Sequence, residues 1–142
     1  MAKQPGRVGA LAAYNQGVLL ARTGRFLEAE AALLSSVKSW PEDSLAYVEL
    51  GLVYRQLGRF AEAAQAYQAA LTLQPDRLIA HQNAGVLFDL YIQKPEDALH
   101  HYEAALALTT PDSIPLSGWV AELRQRLGVK PKAEQSEDGS HE

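Results

Sequence analysis

One phrase occurs twice in this chain. It opens Gly-Arg-Phe, continues through an alanine-rich stretch and ends in proline, first from Gly24 to Pro41 and again from Gly58 to Pro75, 34 residues later. The register extends well beyond the phrase. Gly17, Gly51 and Gly85 follow one another at the same 34-residue interval, and Glu28 and Ala29 recur as Glu62 and Ala63. A fixed period of this size means that one supersecondary unit is stacked on copies of itself, each burying an apolar face the unit cannot bury alone.

Each copy holds two apolar-periodic segments parted by Gly-Arg. From Ser44 to Leu57, Tyr47, Leu50, Gly51 and Tyr54 fall on one helical face. Asp43 or Ser44 is the expected cap, and Gly58 the left-handed stop. From Arg59 to Leu73, Phe60, Ala63, Ala64, Tyr67, Ala70 and Leu71 form the inner face, and Pro75 ends the helix. The unit is a helical hairpin. A glycine inside a helix costs about 1 kcal/mol against alanine, so Gly51 needs a reason, and close approach to Ala63 is the expected one.

The stretch AYVELGLVYRQLGRFAEAAQAYQAALTLQP resembles the tetratricopeptide repeat, with Tyr47, Leu50, Gly51, Tyr54, Gly58, Phe60, Ala63, Tyr67, Ala70 and Pro75 at signature places. The first copy matches through Gly17, Gly24, Phe26, Ala29 and Pro41. The resemblance implies an all-α, right-handed α-solenoid of three hairpins plus a C-terminal capping helix. Repeats are expected at about 10–43, 44–77 and 78–112, and the cap at about 113–127, in a single domain over 1–128. In the cap, Leu116, Trp119, Val120, Leu123 and Leu127 share one face, with Trp119 as a packing anchor. Residues 129–142 are polar and read as a disordered tail.

The third copy departs from the pattern. LYIQKPEDA replaces QLGRFAEA, the turn glycine is gone, and Phe88 to Ala98 is one residue longer than Tyr54 to Ala63. Pro95 suits a helix's first turn. The altered turn, with Tyr91 and Lys94, reads either as drift in a last repeat or as a surface a partner uses.

Chemistry finds little foothold. There is no cysteine, which excludes disulfides and thiolate catalysis, and a net charge of −4 leaves no basic footprint for nucleic acid. No stretch is apolar for long enough to span a membrane or serve as a signal peptide, so the chain is expected in the cytoplasm, or in the periplasm if a signal has been removed. Glu96 with His100 and Asp97 with His101 have metal-binding spacing on a helix. The two pairs point in different directions, and the register sends both histidines to the outer surface. His81 falls at a packing or hairpin-interface position. The expectation is no catalytic residue, metal or cofactor.

In the family that the repeat resembles, the first helix of each hairpin lines the concave side. Opposite the inward face, these helices carry a second stripe. It comprises Leu11, Tyr14, Val18 and Ala21 in the first copy, with Arg22 beside it, Leu45, Val48, Leu52 and Arg55 in the second, and Ile79, Gln82, Val86 and Asp89 in the third, with Asn83 on the rim. A helix apolar on two faces is usually covered on both. Part of the stripe goes to neighbouring repeats, and the remainder leaves an apolar groove of the kind that marks a binding surface. Some family members hold the carboxylate of a chaperone peptide in a clamp of lysines, arginines and asparagines. Here Val18, Leu52 and Val86 occupy the centre, Asn15 and Asn83 remain, and no lysine converges with them. The expected role is a non-enzymatic scaffold or adaptor taking a partner peptide or amphipathic helix: another protein, a second copy, or the chain's own N-terminal arm. Two alternatives stand beside it. One is a self-assembling homo-oligomer. The other is an accessory subunit of a bacterial cell-envelope complex, from a narrower resemblance of residues 83–108 and the tryptophan-bearing last helix to such proteins.

Overall fold

The computed structural model describes residues 5–109 and 114–129. Within them run helices α1 (Pro5–Arg22), α2 (Phe26–Ser39), α3 (Ser44–Gln56), α4 (Phe60–Leu73), α5 (Leu78–Val86), α6 (Pro95–Ala107) and α7 (Ile114–Leu127), with no strand. A π-helical segment, Leu87–Ile92, continues α5. The chain is a helical solenoid. Hairpins α1–α2, α3–α4 and α5–α6 stack in sequence order, and α7 covers the last. The expected tail lies, from residue 130 on, outside the described residues. So do residues 1–4, and because α1 already begins at Pro5, the described residues contain no free N-terminal arm that could fold back into the groove.

The core follows the stacking. One cluster joins the first and second hairpins through Ala29, Leu33, Leu50, Val53 and Ala66. The next joins the second and third through Val48, Tyr67, Leu71, Ala80, Ala84 and Leu87. A third places Ala98, Leu99, Tyr102 and Ala105 against Leu116, Val120 and Leu123 of α7. No hairpin owns a complete core, so each depends on its neighbour, as in any quasi-one-dimensional array.

Local chemistry sets the turns. The Asp43 carboxylate accepts from Leu45 N at 3.1 Å and caps α3. Gly24 and Gly58 hold φ of 79° and 76°, a left-handed conformation that costs a glycine nothing. Arg25 N then donates back to Leu20 O at 2.9 Å, and Arg59 N to Tyr54 O at 2.8 Å, closing both helices in the same way.

The glycines at 17, 51 and 85 make room for a large side chain of the second helix. A Cβ on Gly51 would collide with the ring of Tyr67, one on Gly85 with the ring of Tyr102, and one on Gly17 with Leu33. The close partner of Gly51 is thus a large flat ring lying over the missing side chain, rather than the small Ala63. Tyr67 is 1% exposed, and burying a ring of that size stabilises the fold by roughly 2–3 kcal/mol, more than the glycine costs the helix.

The extra residue of the third copy is absorbed in the π-helical segment. Wider π turns admit one more residue than an α-helix. Gln93 takes the left-handed position that glycine holds elsewhere, with φ 63°, and Lys94 N reaches back to Phe88 O at 2.8 Å, one residue further than in the other turns. Pro95 opens α6.

Candidate partner-binding groove

The 34-residue register arranges α1, α3 and α5 side by side, so equivalent residues form rows across the three hairpins. The first row is Leu11, Leu45 and Ile79, exposed by 52%, 38% and 42%. Two turns along lies Val18, Leu52 and Val86, each half-buried. Between them runs Asn15, Glu49 and Asn83, and at the far edge Arg22, Gln56 and Leu90. Two apolar rails therefore flank a polar row.

A recess of about 380 Å³ opens between α1 and α3, walled by Val18, Ala21, Arg22, Glu49, Leu52 and Arg55, with Phe26 and Gln56 at its end. Glu49 was not among the residues the sequence pointed to. Its signal was present: it stands 34 residues from both Asn15 and Asn83. Burial holds its carboxyl above the usual carboxylate range, with Arg22 pulling the other way. Burial also raises the Tyr14 hydroxyl, with Glu49 adding to it. Buried polar atoms without a partner accompany this row: Arg55 Nε, Asn83 Nδ2 and the Tyr67 hydroxyl. The Tyr67 phenol is raised well above its ordinary value by burial.

The expected groove residues separate into three groups. Leu11, Leu45, Ile79, Val18, Leu52, Val86, Arg22 and Asn83 lie on the shared face, and Gln82 is half-buried beside it. Val48 is a correction. At 2% exposure it belongs to the core against Ala80 and Ala84, because the hairpin that follows covers this side of α3. Tyr14 packs against the first core cluster at the seam between hairpins. Arg55 and Asp89 are engaged. The Arg55 guanidinium lies 5.3 Å from the centre of the Tyr91 ring, and Asp89 accepts from Arg126 of α7 at 2.8 Å.

That last pair forms one wall of a second recess, about 310 Å³, together with Val86, Leu90, Tyr102, Trp119 and Glu122. Trp119 rests 5.4 Å from the Tyr102 ring yet is 42% exposed, so it both anchors the cap and walls this recess. Tyr91 reaches back across the groove edge to Phe60, with ring centres 5.3 Å apart. The third-repeat insertion thus contributes surface as well as length.

The histidines correct another expectation. His100 is exposed, but His101 is turned into the α5–α6 interface, where its Nδ1 lies 3.1 Å from Nδ1 of His81. Among the described residues, no group of three or more His, Cys, Asp or Glu converges to hold a metal ion. Among them, too, no helix is long and apolar enough to cross a membrane.

Several solved structures share this architecture. The first repeat domain of Spaghetti (RPAP3), bound to the HSP90 peptide SRMEEVD, matches with a TM-score of 0.78 at 22% identity, covering 86% of this chain and 95% of that one. The second such domain of human RPAP3, in complex with the HSP70 peptide SGPTIEEVD, matches at 0.75 and 15% identity, covering 84% and 98%. MamA matches at 0.77 and 19% identity, covering 84% and 69%. At these identities the likeness is one of fold. No curated protein sequence matches the chain. Residues 7–77, half of the chain, match the family model described as tetratricopeptide repeat. With the glycine-over-ring packing and the stacked hairpins, that match settles the family: the chain belongs to the tetratricopeptide repeat proteins.

Proposed function

We propose that the chain is a non-enzymatic adaptor that holds a segment of a partner protein on the shared face of α1, α3 and α5. The observation that carries this reading is the pair of apolar rails, Leu11–Leu45–Ile79 and Val18–Leu52–Val86. A contiguous apolar strip that a protein leaves in water usually meets a partner. Peptide binding by proteins of the same fold, as in the RPAP3 complexes, supports the general role.

The polar row narrows the occupant. Those complexes hold peptides ending in acidic residues, whereas here Glu49 occupies the middle of the row and no lysine accompanies it. An acidic tail would have to be desolvated beside a carboxylate, which is unfavourable. An amphipathic helix or apolar segment, its apolar residues on the two rails, fits better.

The test is capture from native extract by the wild-type chain and by the double variant Leu11→Glu, Leu45→Glu. Both sites are exposed, so helicity and the melting temperature stay within a few degrees of wild type. Partner retention drops at least about tenfold, because two apolar contacts become desolvated charges. A partner retained equally by both proteins would place its binding surface elsewhere.

A further inference from the structure

The α5–α6 interface contains two imidazoles in direct contact, a feature with no counterpart in the other hairpins, where the positions of His81 are filled by Ala13 and Tyr47. His81 Nε2 lies 2.9 Å from the carbonyl oxygen of Pro75, in the turn leading into α5. A carbonyl only accepts, so Nε2 carries the hydrogen. In neutral His81, Nδ1 is then a bare lone pair. It faces Nδ1 of His101 at 3.1 Å, which must therefore donate. The hydrogen bonds themselves thus assign both tautomers. Phe88 of the π-helical segment fixes the second ring from its face, parallel to within 5° at 5.6 Å between centres.

The pair has a limited capacity for protons. One added proton can be shared, because a cationic ring still donates to a neutral one across the Nδ1–Nδ1 contact. Two cannot: both nitrogens would then carry hydrogens pointing at each other across 3.1 Å, with two positive charges behind them. We propose that the His81–His101 contact is an acid-labile latch holding α5 against α6, closed while the neutral pair has taken up at most one added proton and released by the second.

The surrounding charges agree. On α6, His100 stands edge-on to His101 with ring centres 5.3 Å apart, and Asp97 lies one turn back; from α5 the facing group is His81, from the turn the Pro75 carbonyl, and from the π-helical segment the uncharged Phe88. Among the described residues, neither ring forms an ion pair with a carboxylate. Burial, then His81, then His100 push the His101 imidazole down to about 4 from its ordinary 6.5, with Asp97 opposing. A folded-state value below the unfolded one gives stability that is complete above 6.5 and lost as the pH falls toward 4. The folded-to-unfolded ratio falls by at most about tenfold per pH unit in that window, and by less because the ring is partly exposed. The latch stands whether or not the groove takes a partner. Its opening would loosen α5, which carries Ile79, Asn83 and Val86.

Urea unfolding from pH 7.5 to 4.5, in a chelator so that no stray metal holds the rings together, compares wild type with His101→Gln and His100→Gln. Glutamine at 101 keeps a donor for His81 without titrating. Carboxylate titration, common to all three proteins, cancels in the comparison. His101→Gln is expected to flatten the acid slope by about ten- to thirtyfold in the folding ratio over the window, while His100→Gln leaves most of it. Equal slopes for wild type and His101→Gln would overturn the proposal. Nitrogen NMR of the wild-type imidazoles decides independently of how well the variants fold: two ordinary titrations near 6.5 would also overturn it, and one depressed step belonging to the pair is the expected result.

Discussion

The second and third hairpins are built from the same unit and differ by one residue in the turn. Both bury a tyrosine ring over a helical glycine, Tyr67 on Gly51 and Tyr102 on Gly85. There the likeness ends. The second hairpin closes on Gly58, and its helices are also linked by a buried hydrogen bond, Ser44 Oγ donating to Ala70 O at 3.0 Å. At the matching places the third has Leu78 and Ala105. It closes through a π-helical segment on Gln93, and sends Tyr91 to Arg55 and Phe60 and Asp89 to Arg126. The lesson is a division of labour. The glycine-over-ring lock holds the array together and tolerates nothing larger, whereas the turn is free to lengthen and to carry side chains outward.

The lock should show the largest effect. Gly51→Ala forces a methyl into a ring enclosed on all sides and is expected to cost about 3 kcal/mol in urea unfolding. Gly17→Ala, whose methyl would meet the branch carbon of the buried Leu33 at 2.6 Å, less closely than one on Gly51 would meet the Tyr67 ring, should cost less. Equal penalties would mean that the ring is not what makes Gly51 necessary. The turns come next, through an exchange of residues. Gln93→Gly should stabilise by about 1 kcal/mol, and Gly58→Gln should destabilise by a similar amount, since both positions are left-handed. If Gln93→Gly is neutral or worse, the glutamine side chain contributes more than the backbone loses. Smallest is the ion pair that ties α2 to the α3–α4 turn, Arg59 to Glu30 at 2.7 Å. It is partly exposed, so Arg59→Met should cost about 0.5 kcal/mol or less, and the difference should vanish in high salt.

Much of this was legible in the sequence, and the limits have physical causes. Period and turn residues report local backbone preference, so the hairpins, the left-handed glycines and a cap at Asp43 or Ser44 could be read directly. Packing across three neighbours could not. Val48 shares a stripe with groove residues but meets the next hairpin, and only the stacking angle decides which side of α3 is covered. The surplus residue between Phe88 and Ala98 was countable, while its resolution into a π turn depends on how α5 and α6 are held apart. His101 shares its register with Ala66, which is itself buried, so its inward position belongs to the repeat and not to the π turn. Glu49 escapes a reading by hydropathy because it is a charged residue between two apolar rows, although the register alone aligns it with Asn15 and Asn83.

The most direct test of the adaptor reading is site-resolved photo-crosslinking in native extract, with a benzophenone amino acid at Leu45 on the groove or at Gln68 on the exposed side of α4. The account predicts one discrete adduct with a different protein from Leu45 and none from Gln68. An adduct from Gln68 alone, or an adduct at Leu45 containing nothing but a second copy of the chain, would contradict it.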